Sequence, residues 1–482
     1  MKRSLKLFIS LFFICAFSSA QFSEDALRYS LRGSGVGSRA FGMGNAYIGV
    51  SDDYTATVWN PAGLAQMRRL EFTGGISNVG YSNTASFGST SLTADNTATS
   101  LDNFGFVFPF PTVRGSLVFA FGFNRLADYA SALSFKGFNG QSSIIPTLYD
   151  ADASYDIPFN TYLSNTSGYT AIQKNVNQRG EIKEGGSLGQ WSFSGAVDVE
   201  ENISFGVSLN IATGSYNYVR NYVEEDVNNV YNDASPNLPA DSAYLRFNKF
   251  YYDSYLNSEL TGGGFTFGAM YRSELFRVGL VAKAPTSITV KETYSNAGES
   301  VFDAAGGWQS NAPPRTTKYS YDATNEYGVS SPWTFGVGAS WYVIPQVLVA
   351  ADIEYSDWSQ IEWTDNPKLE RRNVQLQANF RPTTSYRIGA EVDVPGTDVR
   401  VRGGYSLTPS PYKKDPSSFD QALLTAGAGI LLQRNVVIDG AIAFGSFKSY
   451  RNQYSFPGLI NAARTDESVS TTNVNVTLSY RF

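Results

Sequence analysis

The chain has no histidine, and its single cysteine, Cys15, lies within its first twenty residues. Without histidine there are no Ser-His or Cys-His dyads, no imidazole acid–base catalysis and no His-based zinc sites. Carboxylate-pair chemistry survives that exclusion, but an ordinary enzyme is not expected. Ile14, before Cys15, is too bulky for a lipoprotein cleavage site, so lipidation is not expected either. A processed chain without thiols has no disulfide framework and no thiol chemistry. Long apolar runs are also missing after the first twenty residues, which argues against a membrane-spanning helix.

The opening stretch, "MKRSLKLFISLFFICAFSSA", reads as a signal peptide over residues 1–20. Lys2, Arg3 and Lys6 precede the apolar run Leu7 to Phe17, and Ser18 and Ala20 fill the small positions of the cleavage site. Removing those three cations takes the formal charge from −6 to −9, a balance that argues against nucleic acid as a partner. Aromatic residues are plentiful, with 33 Phe, 30 Tyr and 7 Trp, yet mean hydropathy is negative. An exported, aromatic-rich chain without membrane helices is either a soluble all-β protein or an outer-membrane barrel.

Alternation decides between these. Trp333, Phe335, Val337, Ala339, Trp341 and Val343 share one face of a strand, while Thr334, Gly336, Gly338, Ser340 and Tyr342 share the other. An apolar stripe with aromatics at both ends, backed by small polar residues, suits lipid outside and a lumen inside. The last segment repeats the pattern. Val474, Val476, Leu478, Tyr480 and Phe482 lie on one face, and the terminal Phe482 resembles the signal read by the bacterial barrel assembly machinery.

Strands are predicted at 68–82, 103–112, 115–126, 189–199, 202–215, 261–272, 276–290, 331–343, 347–358, 384–394, 398–408, 420–433, 435–449 and 469–482. The segment "NVQLQANF", 373–380, also alternates. A fifteenth strand would leave the C-terminus outside, so it is assigned to an extracellular excursion. Tight links near 199–203, 273–276, 343–347, 394–398 and 433–435 contrast with long ones near 127–188, 216–260, 291–330 and 450–468. The fold expected is an all-β, fourteen-stranded antiparallel transmembrane barrel over 68–482. If Pro395 to Asp398 close a turn, Glu391 faces Arg402 and Asp393 faces Arg400. A charge facing lipid at mid-depth costs about 2–4 kcal/mol, so these pairs point into the lumen with Asp352, Glu354 and Asp439.

Residues 21–67 precede the wall. "SEDALRYS" suits a short helix, and Gly35, Gly37 and Ala40 match a dinucleotide fingerprint only loosely, with no strand ahead of them. Asn60 suits a cap, Pro61 a first helical position and Gly63 a stop, while Asp52 and Asp53 suit a turn better than a metal site. Fourteen strands enclose more space than side chains fill, so this segment is expected inside the lumen as a plug.

"GSRAFGMGNAYIGVSDDYTATVWNPAGLA" resembles the hatch of the FadL/TodX family of outer-membrane transporters for long-chain fatty acids and other hydrophobic compounds. The resemblance rests on Gly42-Met43-Gly44, Asp52-Asp53 and Asn60-Pro61-Ala62-Gly63, with later matches at 349–360, 386–394 and 399–412. It implies loop capture of an apolar molecule, hatch movement and lateral release into the bilayer, by a monomer needing no cofactor. Loop contacts are then sought at Ile144, Ile145, Leu148, Ile157, Phe159 and Leu163, and a wall gap near Gly122. A barrel of type IX protein secretion, which shuttles or anchors secreted proteins, is the alternative.

Overall fold

Eighteen β-segments join edge to edge into one antiparallel sheet that closes on itself. The structure is a computed structural model describing residues 23–231 except 32 and 34, 246–303, and 315–482 except 457 and 460. The expected signal peptide lies outside the described residues. Four of the junctions are interruptions within a single crossing, so the wall has fourteen strands. They are β1 (Glu71–Phe87), β2 (Thr90–Phe110), β3 (Leu117–Asp128, resumed as Ser131–Asn139), β4 (Val176–Glu200) and β5 (Ile203–Glu225). Next come β6 (Phe247–Arg272), β7 (Phe276–Lys283, resumed as Ser287–Phe302), β8 (Thr316–Ser330, resumed as Thr334–Ile344) and β9 (Val347–Asp357, resumed as Glu362–Thr364). The circuit ends with β10 (Pro382–Asp393), β11 (Val399–Thr408), β12 (Gln421–Leu432), β13 (Val436–Asn452) and β14 (Arg464–Arg481). β14 returns to β1, with Arg481 opposite Glu71.

The period of two divides each strand between two environments. In β14, Val474, Val476, Leu478 and Tyr480 are exposed outward while Asn473, Asn475, Thr477 and Ser479 are buried. Phe193, Phe205, Phe267, Phe335 and Ile388 continue the exposed apolar band around the wall. Such a band would be an aggregation hazard in water and is the ordinary exterior of a barrel in lipid.

One end of the barrel carries short turns, as expected. The other differs from expectation, because many of the residues assigned to long loops extend the strands. β1 and β2 meet in a tight hairpin at Gly88, and β4, β5 and β6 run far above the apolar band. Both faces of those extensions carry Thr, Ser, Asn and Tyr, so the contrast that marks a lipid-facing strand is missing there. The segment 373–380 lies outside the wall, as assigned, but Asn373–Asn379 is a helix. Leu369, Leu376 and Phe380 are buried together at helical spacing, which overrides the local alternation.

Between Asn139 and Val176 the chain folds back over the mouth. Ile144, Ile145, Ile157, Leu163 and Ile172 are fully buried against Phe135, Tyr222, Phe250 and Phe302 of the wall. Glu224 fastens this cap, accepting from the Ser143 hydroxyl at 2.5 Å, the Ile144 amide at 2.7 Å and Gln178 at 2.8 Å. Asp156 caps the one-turn helix Ile157–Asn160 by accepting from the Phe159 amide.

Burial pushes the Asp156 carboxyl up to about 6; the Phe159 amide opposes the shift and Asp150 adds to it. In an unfolded chain the group titrates near about 3.9. The folded cap therefore favours the protonated form, so its stability is greatest below about pH 4 and declines as pH rises to about 6. After division by the intrinsic base-catalysed rate, amide exchange across 156–163 is expected to quicken roughly ten- to a hundredfold over that window. Asp156→Asn keeps a capping acceptor and should flatten the profile. An unchanged profile would assign the dependence to another group.

Candidate transport site

Three short helical pieces organise the N-terminal segment: α1 (Ser23–Ser30), α2 (Ser38–Gly42) and α3 (Ala56–Trp59), followed by a 3-10 turn at Pro61–Gln66. Ala40, Met43, Ala46, Tyr47, Ile48, Val50 and Ala62 are almost wholly buried, and the surfaces that cover them are inward faces of the wall. The fit depends on glycines of the wall. A Cβ at Gly389 would lie 2.1 Å from the Met43 carbonyl, and one at Gly404 would lie 2.3 Å from the Gly44 nitrogen. Gly279 meets the Ile48 carbonyl and Gly206 meets Ala62 in the same way. These residues form opposed pairs across the ladders, Gly389 with Gly404, Gly279 with Gly338 and Gly206 with Gly268. Each pair is a bare patch of backbone on which the segment's own backbone rests.

Within the segment, Gly44 adopts φ 63° while pressed against β11, so both its backbone angle and the close contact require glycine. A Cβ at Gly63 would strike the Ser51 carbonyl. Asn60 donates to the Ile48 carbonyl at 3.1 Å and to Ala269 of β6 at 3.2 Å, and it accepts from the Ala62 amide. Pro61 starts the 3-10 turn, and the Ser204 hydroxyl of β5 donates to the Ala62 carbonyl at 3.0 Å.

Charge fixes the other side. Glu391 and Arg402 are opposed across β10 and β11 and bond at 2.6 Å; Asp393 and Arg400 bond at 2.8 Å nearer the rim. Arg402 also bonds to Asp439 of β13 at 2.5 Å. The N-terminal segment joins through Arg39, which holds both Glu391 oxygens at 2.8 and 2.9 Å and also bonds to Asp52. Asp52 meets Arg277 of β7 at 3.2 Å. Burial alone would raise the Asp52 carboxyl, but Arg39 and Arg277 outweigh it and hold it well below the usual carboxylate range. Asp53 instead accepts from the Tyr47 hydroxyl at 2.6 Å and from Thr55. Asp352 accepts from the amides of Tyr47 and Ile48 at 2.7 and 2.8 Å, while Glu354 binds Lys283 and Arg387. The two adjacent aspartates thus differ in their main partners, sharing only the Tyr47 hydroxyl, and no cluster of three or more metal-ligating side chains forms among the described residues. Arg39 and Arg277 have no sequence signal of their own; only the fold brings them to Asp52.

The wall has a break beside this segment. β2 and β3 pair from Phe110 with Leu117 as far as Asn103 with Asn124, and then part. Above that point β3 bulges between Arg125 and Ala127, stops at Asp128 and resumes at Ser131, paired only with β4. Its upper half crosses the inner face of the β1–β2 hairpin, where Asn83 donates to the Ala132 carbonyl and Phe135 packs on Phe87. Thr90 to Asp102 of β2 therefore present an unpaired edge. Behind the opening, the Gly33 amide donates to the Leu126 carbonyl at 2.6 Å, and Val36 and Val58 pack on the Leu126 side chain.

Two sequence expectations need correction here. Gly122 is paired on both sides, with Gly105 and Ser192, and a Cβ there would lie 2.4 Å from the Tyr54 hydroxyl. Its missing side chain makes room for a ring of the N-terminal segment, and the gap opens above it, beyond Asn124. Ile144, Ile145, Ile157 and Leu163 form the core of the loop cap instead of an exposed capture surface, and Leu148 packs against them. Phe159 is half-buried at the same cap.

No curated protein sequence matches the chain, and its parallels are found among solved structures. The toluene transporter TodX of Pseudomonas putida is 14% identical at TM-score 0.57, covering 93% of this chain and 99% of that one. A FadL homologue of Pseudomonas aeruginosa is 12% identical at TM-score 0.57, covering 94% of this chain and 100% of that one. At such identities the likeness speaks for the fold alone. The family model described as "Outer membrane protein transport protein (OMPP1/FadL/TodX)" matches residues 186–482, and the chain belongs to that family.

Proposed function

We propose that the protein carries hydrophobic molecules such as long-chain fatty acids inward across the outer membrane and releases them sideways through the break between β2 and β3. The observation that carries this reading is the contact between the break and the N-terminal segment: Gly33 is bonded to the bulged strand, and Val36 and Val58 cover Leu126 from inside. The segment acts as a hatch whose displacement clears the opening. Sideways release is favoured because an apolar chain gains about 0.8 kcal/mol per CH₂ kept out of water. An exit downward would meet the charged cavity of about 190 Å³ lined by Arg39, Asp52, Glu391 and Arg400. The protein-secretion alternative has no observation in its favour, because the mouth is filled by the chain's own loop.

Leu126→Trp fills the opening and should slow uptake of a long-chain fatty acid by about tenfold, equivalent to about 1.4 kcal/mol of barrier, with the barrel still folded by heat-modifiable gel mobility. Unchanged uptake in a folded variant would move the exit elsewhere.

Arg39→Met leaves Glu391 and Asp52 short of a buried partner and should loosen the hatch by about 3 kcal/mol. Two readouts are expected to change together: protease cleavage between residues 35 and 60, and ionic conductance in planar bilayers. Shortening residues 21–45 should reduce uptake while leaving barrel assembly intact; normal uptake would argue against a gating hatch.

A further inference from the structure

A second interruption of the wall lies across β7, β8 and β9, away from the β2–β3 break. β7 stops at Lys283 and resumes at Ser287, β8 stops at Ser330 and resumes at Thr334, and β9 stops at Asp357 and resumes at Glu362. Proline is present at the first two breaks, as Pro285 and Pro332, and at the start of β10, as Pro382. Each lacks the N–H that a continuous ladder would use. Two bonds staple β7 to β8 across the break: the Thr286 amide donates to the Ser331 hydroxyl at 2.8 Å, and the Ser331 amide to the Thr286 carbonyl at 3.0 Å. Between β8 and β9, Thr334 still faces Ser356 and Ser330 faces Glu362, but three residues on one side oppose five on the other. The mismatch leaves a crevice of about 580 Å³, a size typical of small-molecule sites.

The position of the crevice is set by the aromatic residues next to it. Trp333 and Phe335 stack on the outer surface with ring centroids 5.8 Å apart, and both are exposed. Eight residues down the same strand, Trp341 marks the opposite girdle. The crevice opens immediately above Trp333, at the level where lipid headgroups meet hydrocarbon. Its lining is mixed, with Pro285, Pro332 and Pro382 beside Ser331, Gln360, Glu362 and Lys413. Its inner boundary is Phe380, which is fully buried. The same ring belongs to the apolar cluster around α1, with Ala26, Leu27, Leu376 and Trp363, and rests 4.9 Å from Tyr412. Phe380 is thus the partition between the membrane surface and the apolar interior of the barrel. Overhead, the loop cap leaves the mouth packed with its own side chains.

We propose that this crevice is a lateral entry site, taking amphipathic small molecules with an apolar chain and a compact polar head from the outer leaflet and passing the chain inward past Phe380. It rests on the uptake reading above and adds the route of entry. The polar rim of Ser331, Gln360, Gln377 and Lys413 holds the head, and displacement of Phe380 admits the chain to the cluster around α1. The ligand is already in the leaflet, so it never has to cross water to reach the mouth.

The processed chain has no cysteine, so single thiols can be placed cleanly. Ser331→Cys and Gln377→Cys, each labelled to completion with a bulky maleimide, should lose uptake of a long-chain fatty acid by about tenfold relative to the same variant before labelling. Labelling Gln375→Cys, on the outer side of the neighbouring helix, should leave uptake unchanged. Full uptake after complete labelling of both crevice thiols would overturn the entry site. Absence of uptake by the unmodified protein would count against the transport reading itself. A photoreactive fatty acid should attach at the crevice, with adducts mapped to residues 330–332 or 377–382. Adducts at the crevice from a leaflet glycolipid, with none from the fatty acid, would make it a lipid seat and overturn entry.

Discussion

Hydrocarbon accepts no hydrogen bonds, so every backbone N–H and C=O of a wall exposed to it must find a partner within the protein. A closed antiparallel ladder meets that demand, and the return of β14 onto β1 completes it. The alternation of side chains, the outward Phe and Val residues and the inward Gly and Ser residues all follow from the same sheet. So does the significance of its two interruptions, because an opening is tolerable only where something else satisfies the freed groups. At the β2–β3 break the N-terminal segment supplies a donor, Gly33, to the Leu126 carbonyl. At the β7–β8 break the problem is reduced beforehand, since proline has no N–H to leave unpaired.

The closed ladder also creates the space that the N-terminal segment fills. Fourteen strands leave a lumen that wall side chains cannot pack. The solution uses glycine on both partners: Gly389 and Gly404 of the wall admit Met43 and Gly44, and Gly206 and Gly268 admit the Asn60–Ala62 turn. Contacts between two backbones bring polar groups close together, and these are bonded, as with Asp352 under the Tyr47 and Ile48 amides. A Cβ at any of these seats would lie 2.1–2.4 Å from the segment and force it about 1 Å off the wall, enough to break those bonds.

The parts of this arrangement legible in the sequence are those with a period and a sharp contrast. β8, β10, β11 and β14 stand out because lipid on one side and lumen on the other force apolar and small polar residues to alternate. The Glu391–Arg402 and Asp393–Arg400 oppositions followed from one short turn. The upward extensions were hidden because water on both sides removes the contrast; "TSLTADNTATS" in β2 has no apolar face to read. The helix Asn373–Asn379 was hidden for the opposite reason. Its residues happen to alternate as far as Phe380, and only Leu369, outside the segment, reveals the helical spacing with Leu376 and Phe380. Partners far apart in the chain, such as Arg39 with Glu391 and Gly33 with Leu126, have no local pattern at all.

The N-terminal segment is held by two kinds of contact, on which the hydrophobic cargo proposed above would act unequally. From Arg39 to Gln66 the apolar packing of Phe41, Met43 and Leu64 on the wall is locked by polar contacts: bidentate ion pairs, buried carboxylates under amides, and carbonyls pressed against glycine. An apolar molecule offers nothing to those groups and cannot replace them. Around α1 the hold is largely apolar, through Ala26, Leu27 and Tyr29 packed with Val290, Tyr327 and Trp363. A hydrocarbon chain can substitute there directly, gaining about 0.8 kcal/mol for each CH₂ buried in place of what Leu27 gives up. In the release route proposed above, α1 (Ser23–Ser30) is therefore the part of the closure that cargo would displace, while the ion-paired remainder stays seated. Gly33 and Val36 lie at the junction of the two, against the bulged edge of β3. In that route, displacement of α1 would pull first on the Gly33–Leu126 contact behind the opening.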